Sequence, residues 1–243
     1  MANALSAGAT EHPVRIPART ATLDGDLAIP HGATGIVVFA HGSGSSRHSP
    51  RNRAVARTLR DAGFATLLMD LLTPEEERED RQSAALRFDI GLLAGRLVYA
   101  ADWLAHQQDT NQLSIGYFGA STGSGAALVA AAERPQRITA VVSRGGRPDL
   151  AGDALARVQA PTLLIVGGND EPVIQMNRDA LGHLGTQVKR LEIVPGATHL
   201  FEEPGALEAV AALARDWFAR YLTPAAHPPA IYDLNEEEPG YEA

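Results

Sequence analysis

No cysteine occurs among the 243 residues. Disulfides, thiolate zinc sites and a cysteine nucleophile are therefore excluded, and any covalent catalysis has to use another side chain. An excess of positive charge is missing too, since the formal net charge is −8. Binding to a phosphate backbone wants a basic stripe, so nucleic acid is not an expected partner. Part of the acidity belongs to the end of the chain, where Asp233, Glu236, Glu237, Glu238 and Glu242 follow the last basic residue, Arg220. Long apolar runs are absent: nothing approaches the ~18 consecutive apolar residues of a membrane span. The first residues, MANALSAGATEHPVRIP, lack the basic and apolar regions of a secretory signal. The expectation is a cytoplasmic protein without a membrane partner. No internal repeat is found, and a homo-oligomer is compatible with all of this.

What is present reads as an ordinary globular chain, 45% apolar and 21% charged. Its length suits a single domain, expected over 1–222, followed by an acidic, proline-containing tail over 223–243. Short apolar runs alternate with helical patterns, the signature of an α/β fold with a mostly parallel sheet. The clearest strands are 35–42, 64–72, 113–121, 138–146 and 161–170, with a final one over 189–199. They are continuously apolar, as strands covered by helices on both faces should be. Ahead of them VRIPA and ATLDGDLAIP read as an edge hairpin, with Asp24-Gly25 as its turn signal. Leu86, Ile90, Leu93, Leu97, Ala100 and Leu104 predict the buried stripe of a long helix, and Leu207, Val210, Leu213, Trp217 and Tyr221 that of the last one. Further helices are expected over 50–62, 122–133 and 173–184. The charged stretch 73–87 reads as a solvated loop and helix start.

Gly119-Ala120-Ser121-Thr122-Gly123 spells G-x-S-x-G. The pattern is weak alone, but here it follows a buried strand and opens a helix, which is the context the motif requires. A serine at such a turn is strained, so the positions two before and two after it must stay small. The helix that begins there aims its amides at whatever negative charge develops. Serine also needs a base. Of eight histidines, His199 sits just after the last predicted strand, where it can reach the serine. His41 precedes a glycine turn and is read as supporting that loop, and no H-x-x-x-H pair suggests a metal. Asp170 ends the strand before the last and can orient the base, with the adjacent Glu171 as substitute. Asp70, another acid at a strand end, is read as structural. The amide of Thr122 and that of Ser43 are the expected oxyanion donors, with Gly44 as the fallback. No G-x-x-x-x-G-K-[ST] accompanies HGSGSSR, which argues against a phosphate-cradling loop. Arg144 or Arg147, together with Arg47, is a candidate for meeting an anionic substrate group; the alternative is that such arginines pin loops by pairing with acids such as Asp149 or Asp70.

The stretches VVFAHGSGSSRHSPRN, LLMDLLTPEEE, YFGASTGSGAAL, VVSRGGRPDLAG, LIVGGNDEPVI and GATHLFEEPGAL together resemble the dienelactone-hydrolase-like branch of the α/β-hydrolases, from about Val14 to Leu222. The resemblance implies an eight-stranded, mostly parallel sheet without a large cap. It also implies a triad of Ser121, Asp170 and His199, in the chain order usual for that fold. Dienelactone hydrolases proper use a cysteine nucleophile, which this chain lacks. The likeness is closer to a serine-containing subgroup often fused to, or found beside, a phosphoribosyltransferase domain; no such domain is expected here, because the chain ends soon after its last helix. The expected function is hydrolysis of small carboxylic esters through an acyl-enzyme, with no metal or organic cofactor. Thioesterase, acyltransferase and peptidase activities share that step, and a catalytically dead binding protein on the same scaffold is the remaining alternative.

Overall fold

The computed structural model describes residues 9–222; the expected tail over 223–243 lies outside the described residues. Among them, fourteen strands and α-helices follow one another: β1 (Glu11–Ala18), β2 (Ala21–Ala28), β3 (Gly35–Ala40), α1 (Pro50–Asp61), β4 (Ala65–Met69), α2 (Pro74–Ser83), α3 (Ile90–His106), β5 (Ser114–Ala120), α4 (Thr122–Glu133), β6 (Ile138–Arg144), β7 (Thr162–Gly167), α5 (Glu171–His183), β8 (Lys189–Val194) and α6 (Ala206–Tyr221). The strands form a single eight-stranded sheet in the order β1-β2-β4-β3-β5-β6-β7-β8. Pairing is antiparallel where β2 meets β1 and β4, and parallel from β4 onward.

The continuous apolar runs explain the layering. Every residue of β3, β4, β5 and β7 is buried, which requires helices on both faces. Leu93 and Leu97 of α3, Leu128 of α4 and Ala180 of α5 cover one face. Val55 and Leu59 of α1, with Val210 and Phe218 of α6, cover the other. Helix α4 is built almost wholly of small residues and is buried nearly all round, so its backbone can lie close against its neighbours. After β3 the chain turns to β4 on one side, then crosses to β5 on the other. That reversal opens a crevice at the C-terminal ends of β3 and β5, where open α/β sheets bind their ligands.

Four local expectations change. The hairpin turns at Arg19-Thr20, with Arg19 at φ 55°, and Asp24-Gly25 lies inside β2 opposite Arg15 and Val14. Gly25 is there for packing, since a Cβ at that position would lie 3.1–3.2 Å from Leu67, Ile16 and Val14. Leu86 belongs to a separate 3-10 turn, Leu86–Phe88, because Asp89 caps α3 by accepting the Leu92 N–H at 2.9 Å. In α6 the buried stripe is Ala206, Val210, Ala211, Ala214 and Phe218. Alanines bring the helix close to the sheet, which leaves Leu207, Leu213, Trp217 and Tyr221 at the margins of the contact. Finally, the charged stretch after Thr73 folds as α2, closed by a reciprocal capping box between Thr73 and Glu76. Among the described residues no helix is long and apolar enough to cross a membrane.

Candidate active site

Four strand ends converge on the crevice. At the end of β5, Ser121 has φ 50° and ψ −123°, a conformation that side-chain-bearing residues rarely hold. Its neighbours show why they must be glycine. A Cβ on Gly119 would lie 2.5 Å from the Ser124 Cα, and one on Gly123 would lie 2.3 Å from the Ala40 carbonyl oxygen. Strand β3 and helix α4 thus grip the turn from both sides. The Ser121 carbonyl accepts the N–H groups of Ser124 at 3.0 Å and Arg147 at 3.1 Å, which holds the strained residue in place. Gly125, farther along α4, makes room for the 3-10 segment Pro148–Arg157 and the residue before it, rather than for a strand. A Cβ there would lie 3.0 Å from the Arg147 carbonyl oxygen and from the Leu150 Cβ.

The acid and the histidine come from loops laced together beyond β7 and β8. The Gly168 N–H donates to Val194 O at 2.8 Å and the Asn169 N–H to Ala197 O at 2.9 Å. The Asn169 amide side chain adds a bond to Gly196 O at 2.9 Å. This lacing puts Asp170 Oδ2 at 2.6 Å from His199 Nδ1. The adjacent acid, Glu171, starts α5 and is exposed. The carboxylate is well covered and the imidazole is about a third exposed, so the pair faces solvent on one side only. Gly145, at φ 52°, lets the histidine loop approach: a Cβ there would lie 3.0 Å from His199 O and 3.6 Å from His199 Cε1. Gly145 follows Arg144, whose carbonyl accepts the Ser121 N–H at 3.3 Å, so Ser121 and His199 share one support. No hydrogen bond joins His199 to Ser121 among the described residues.

The loop after β3 crosses directly over the serine, with a Cβ at Gly42 only 3.1 Å from the Ser121 Cβ. His41 supports this loop. Its Nδ1 donates to Gly42 O at 2.9 Å, which leaves Nε2 to accept the Leu71 N–H at 3.0 Å. Burial pushes the His41 pKa down, against weaker opposing effects of the Gly42 carbonyl, Asp70 and Glu77. The Ser43 N–H donates to Thr122 Oγ1 at 2.8 Å. The Gly44 N–H has no intramolecular acceptor among the described residues. Beside this loop opens a cavity of about 430 Å³, lined by Ser43, Gly44, Leu71, Leu93, Arg87 and Thr122 among others. One wall is α2 with its following turn, where Asp80 accepts the Arg87 main-chain N–H at 3.0 Å and Nε at 2.5 Å. This wall was not legible in the sequence. Ala84, in a left-handed conformation, separates the two residues and breaks the helical spacing that would have linked them.

The arginine candidates are placed differently from Ser121, Asp170 and His199. Arg47 is bound to Asp70 through both its main-chain N–H (2.7 Å) and its guanidinium, with Asp26 nearby, so it pins the loop. Arg147 is held by Asp149 through its guanidinium alone, with Nε at 2.9 Å and Nη2 at 2.7 Å from the carboxylate oxygens. Arg144 is buried beneath the site, bonded to Asn52 Oδ1 at 3.3 Å, with its guanidinium 6.0 Å from the centre of the Phe201 ring. Among the described residues no group of three or more histidine or acidic side chains could hold a metal ion.

The model of the dienelactone hydrolase family matches residues 23–223. The chain belongs to that family. A dienelactone hydrolase from Anabaena variabilis is 66% identical, with a TM-score of 0.87 over 88% of this chain and 99% of the other. Est1E from Butyrivibrio proteoclasticus, 16% identical, shares the fold at a TM-score of 0.71 over 86% of this chain and 98% of its own. A Mycobacterium tuberculosis protein that carries the provisional name phosphoribosyl transferase is 59% identical over 212 residues, 87% of this chain and 47% of its own length. The chain thus spans about half the length of the curated relatives it matches. Within the dienelactone hydrolase family the eight-stranded sheet and its helical layers are the expected architecture, as the resemblance implied.

Proposed function

We propose that the protein is a serine hydrolase of small carboxylic esters, with Ser121 as nucleophile, His199 as base and Asp170 as the acid that orients it. The observation that carries this reading is the Asp170–His199 pair, closed at 2.6 Å and resting on the same β6 end as the strained serine. Asp170 accepts a hydrogen bond from Nδ1–H, so Nε2 is left unprotonated and able to accept the Ser121 proton as the hydroxyl attacks the acyl carbon. The imidazolium then protonates the leaving alcohol. Water then attacks the acyl carbon and gives a proton to His199, which passes it to the Ser121 oxygen as the acyl–serine bond breaks and the acid leaves. The open Ser121–His199 bond fits a resting site, because such contacts commonly close only with substrate bound.

The family's cysteine nucleophile is replaced here by serine, so an oxygen ester is the acyl-enzyme. We assign the phosphoribosyl transfer in the name of the Mycobacterium relative to the half of that protein which this chain does not match. Thioesters, amides and alternative acceptors would use the same acyl-enzyme, and the modest cavity of about 430 Å³ suits small acyl groups.

The test is a panel of p-nitrophenyl esters of increasing chain length, with matched thioester and amide, on wild type and Ser121→Ala. Short esters should be cleaved fastest, and the variant should lose most turnover while melting like wild type. Wild type should also be labelled by a fluorophosphonate probe. Ester cleavage undiminished in Ser121→Ala would refute the assignment.

A further inference from the structure

The Ser43 amide, expected to face the substrate, is already engaged. It donates to Thr122 Oγ1 at 2.8 Å, across 79 positions of the chain. A hydroxyl that accepts a hydrogen bond still carries a hydrogen of its own. Within a helix, threonine usually gives that hydrogen to the carbonyl three or four residues back. Thr122 is the first residue of α4, so the residues behind it belong to β5 and the serine turn. Among the described residues Thr122 Oγ1 donates to no acceptor. The residue is only 3% exposed, yet it lines the cavity beside the nucleophile together with Ser43 and Gly44. Its main-chain N–H, at the start of the helix, also has no helical acceptor.

We propose that Thr122 supplies two donors to the oxyanion, its amide and its hydroxyl, with the Ser43 amide acting through that hydroxyl. This rests on the serine hydrolase reading above. The Ser43 N–H fixes the rotation of the threonine side chain and draws electron density from Oγ1, which makes the O–H a better donor. As Ser121 attacks, the carbonyl oxygen gains negative charge and accepts hydrogen bonds from the Thr122 N–H and O–H. No proton is transferred in that contact, and the hydroxyl keeps its hydrogen throughout. Ser43 is then a positioning residue, and Thr122 a catalytic one through its side chain as well as its backbone.

The experiment compares Thr122→Val, Thr122→Ala and Thr122→Ser with wild type on p-nitrophenyl acetate, each checked by thermal melting. A trifluoromethyl ketone, whose adduct with the serine carries the oxyanion, supplies the second readout. Loss of one oxyanion donor should lower kcat by about 100- to 1,000-fold in the valine and alanine variants while KM stays within about threefold. Inhibition by the ketone should weaken by a similar factor, and Thr122→Ser should recover most of the rate. Valine or alanine variants that keep kcat within about twofold of wild type would overturn the proposal, as would a serine variant that falls as far as they do. Wild type that neither turns over the ester nor reacts with a fluorophosphonate would instead remove the hydrolase reading, and this proposal with it.

Discussion

Gly123→Ala tests how tightly the serine turn is gripped. The position lies in the first turn of α4, and in an open helix alanine would be favoured over glycine by about 1 kcal/mol. Here the new Cβ would stand 2.3 Å from the Ala40 carbonyl oxygen and 2.5 Å from that of His41. Both are backbone atoms of the β3 end, so no side-chain rotation can relieve the overlap. Overfilling a packed site costs about 1–3 kcal/mol, and a clash with backbone belongs at the upper end, so the net effect is a loss of roughly 2 kcal/mol. In a chain of this size that lowers the melting temperature by about 4–8 °C. The relief has to come from moving α4 away from β3, which shifts Ser121 relative to the Gly42–Ser43 loop. A displacement approaching 1 Å would lower kcat by about 100-fold. Gly95→Ala in α3 is the control. Among the described residues no atom outside the glycine's own stretch of helix lies within 4 Å of the point where its new Cβ would stand, so it should stabilise by roughly 0.5–1 kcal/mol and leave turnover alone. Melting curves and p-nitrophenyl acetate kinetics on both variants decide the matter. A Gly123→Ala protein that melts at or above wild type with unchanged kcat would refute the reasoning.

Two further predictions concern buried ionisable groups. Burial holds the His41 pKa below its unfolded value, so as pH falls below about 6.5 the unfolded chain takes up protons that the folded one refuses. Stability is therefore complete above that pH and declines beneath it, and His41→Gln should flatten the decline in melting temperature between pH 8 and 5; parallel slopes would exonerate His41. Arg144 is 6% exposed and its Nε has no partner among the described residues, and burial, with Arg51 nearby, pushes its pKa down to about 10. Replacing this unpaired cation with an apolar chain of similar length, Arg144→Met, should stabilise by on the order of 1 kcal/mol, a rise of about 2–4 °C. A lower melting temperature would show that the Asn52 and Phe201 contacts outweigh the cost of burying the charge.

The strands were legible because burial on both faces demands continuous apolar runs, and the helix over 122–133 because the serine turn marks its start. The hairpin turn was not: Asp24-Gly25 carries a strong turn signal, yet packing against Leu67, Ile16 and Val14 claims Gly25 for the strand. The buried face of α6 was missed for a related reason. Large apolar side chains dominate a periodicity reading, whereas alanines permit the closest approach to the sheet.

The sequence by itself determined which side chains are on offer: no thiol, a serine in a glycine-flanked turn that opens a helix, and an acid and a histidine at later strand ends. Those are local patterns, set by sterics and strand periodicity within a few residues. Only the tertiary structure decided that Asp170, and not Glu171, meets His199, that Arg47 pins a loop to Asp70, and that the Ser43 amide binds Thr122 Oγ1. Each of these joins residues that are distant in the chain, and nothing in the local sequence specifies which of several donors and acceptors will meet. That choice is made by the order of the strands and by where their connecting loops cross.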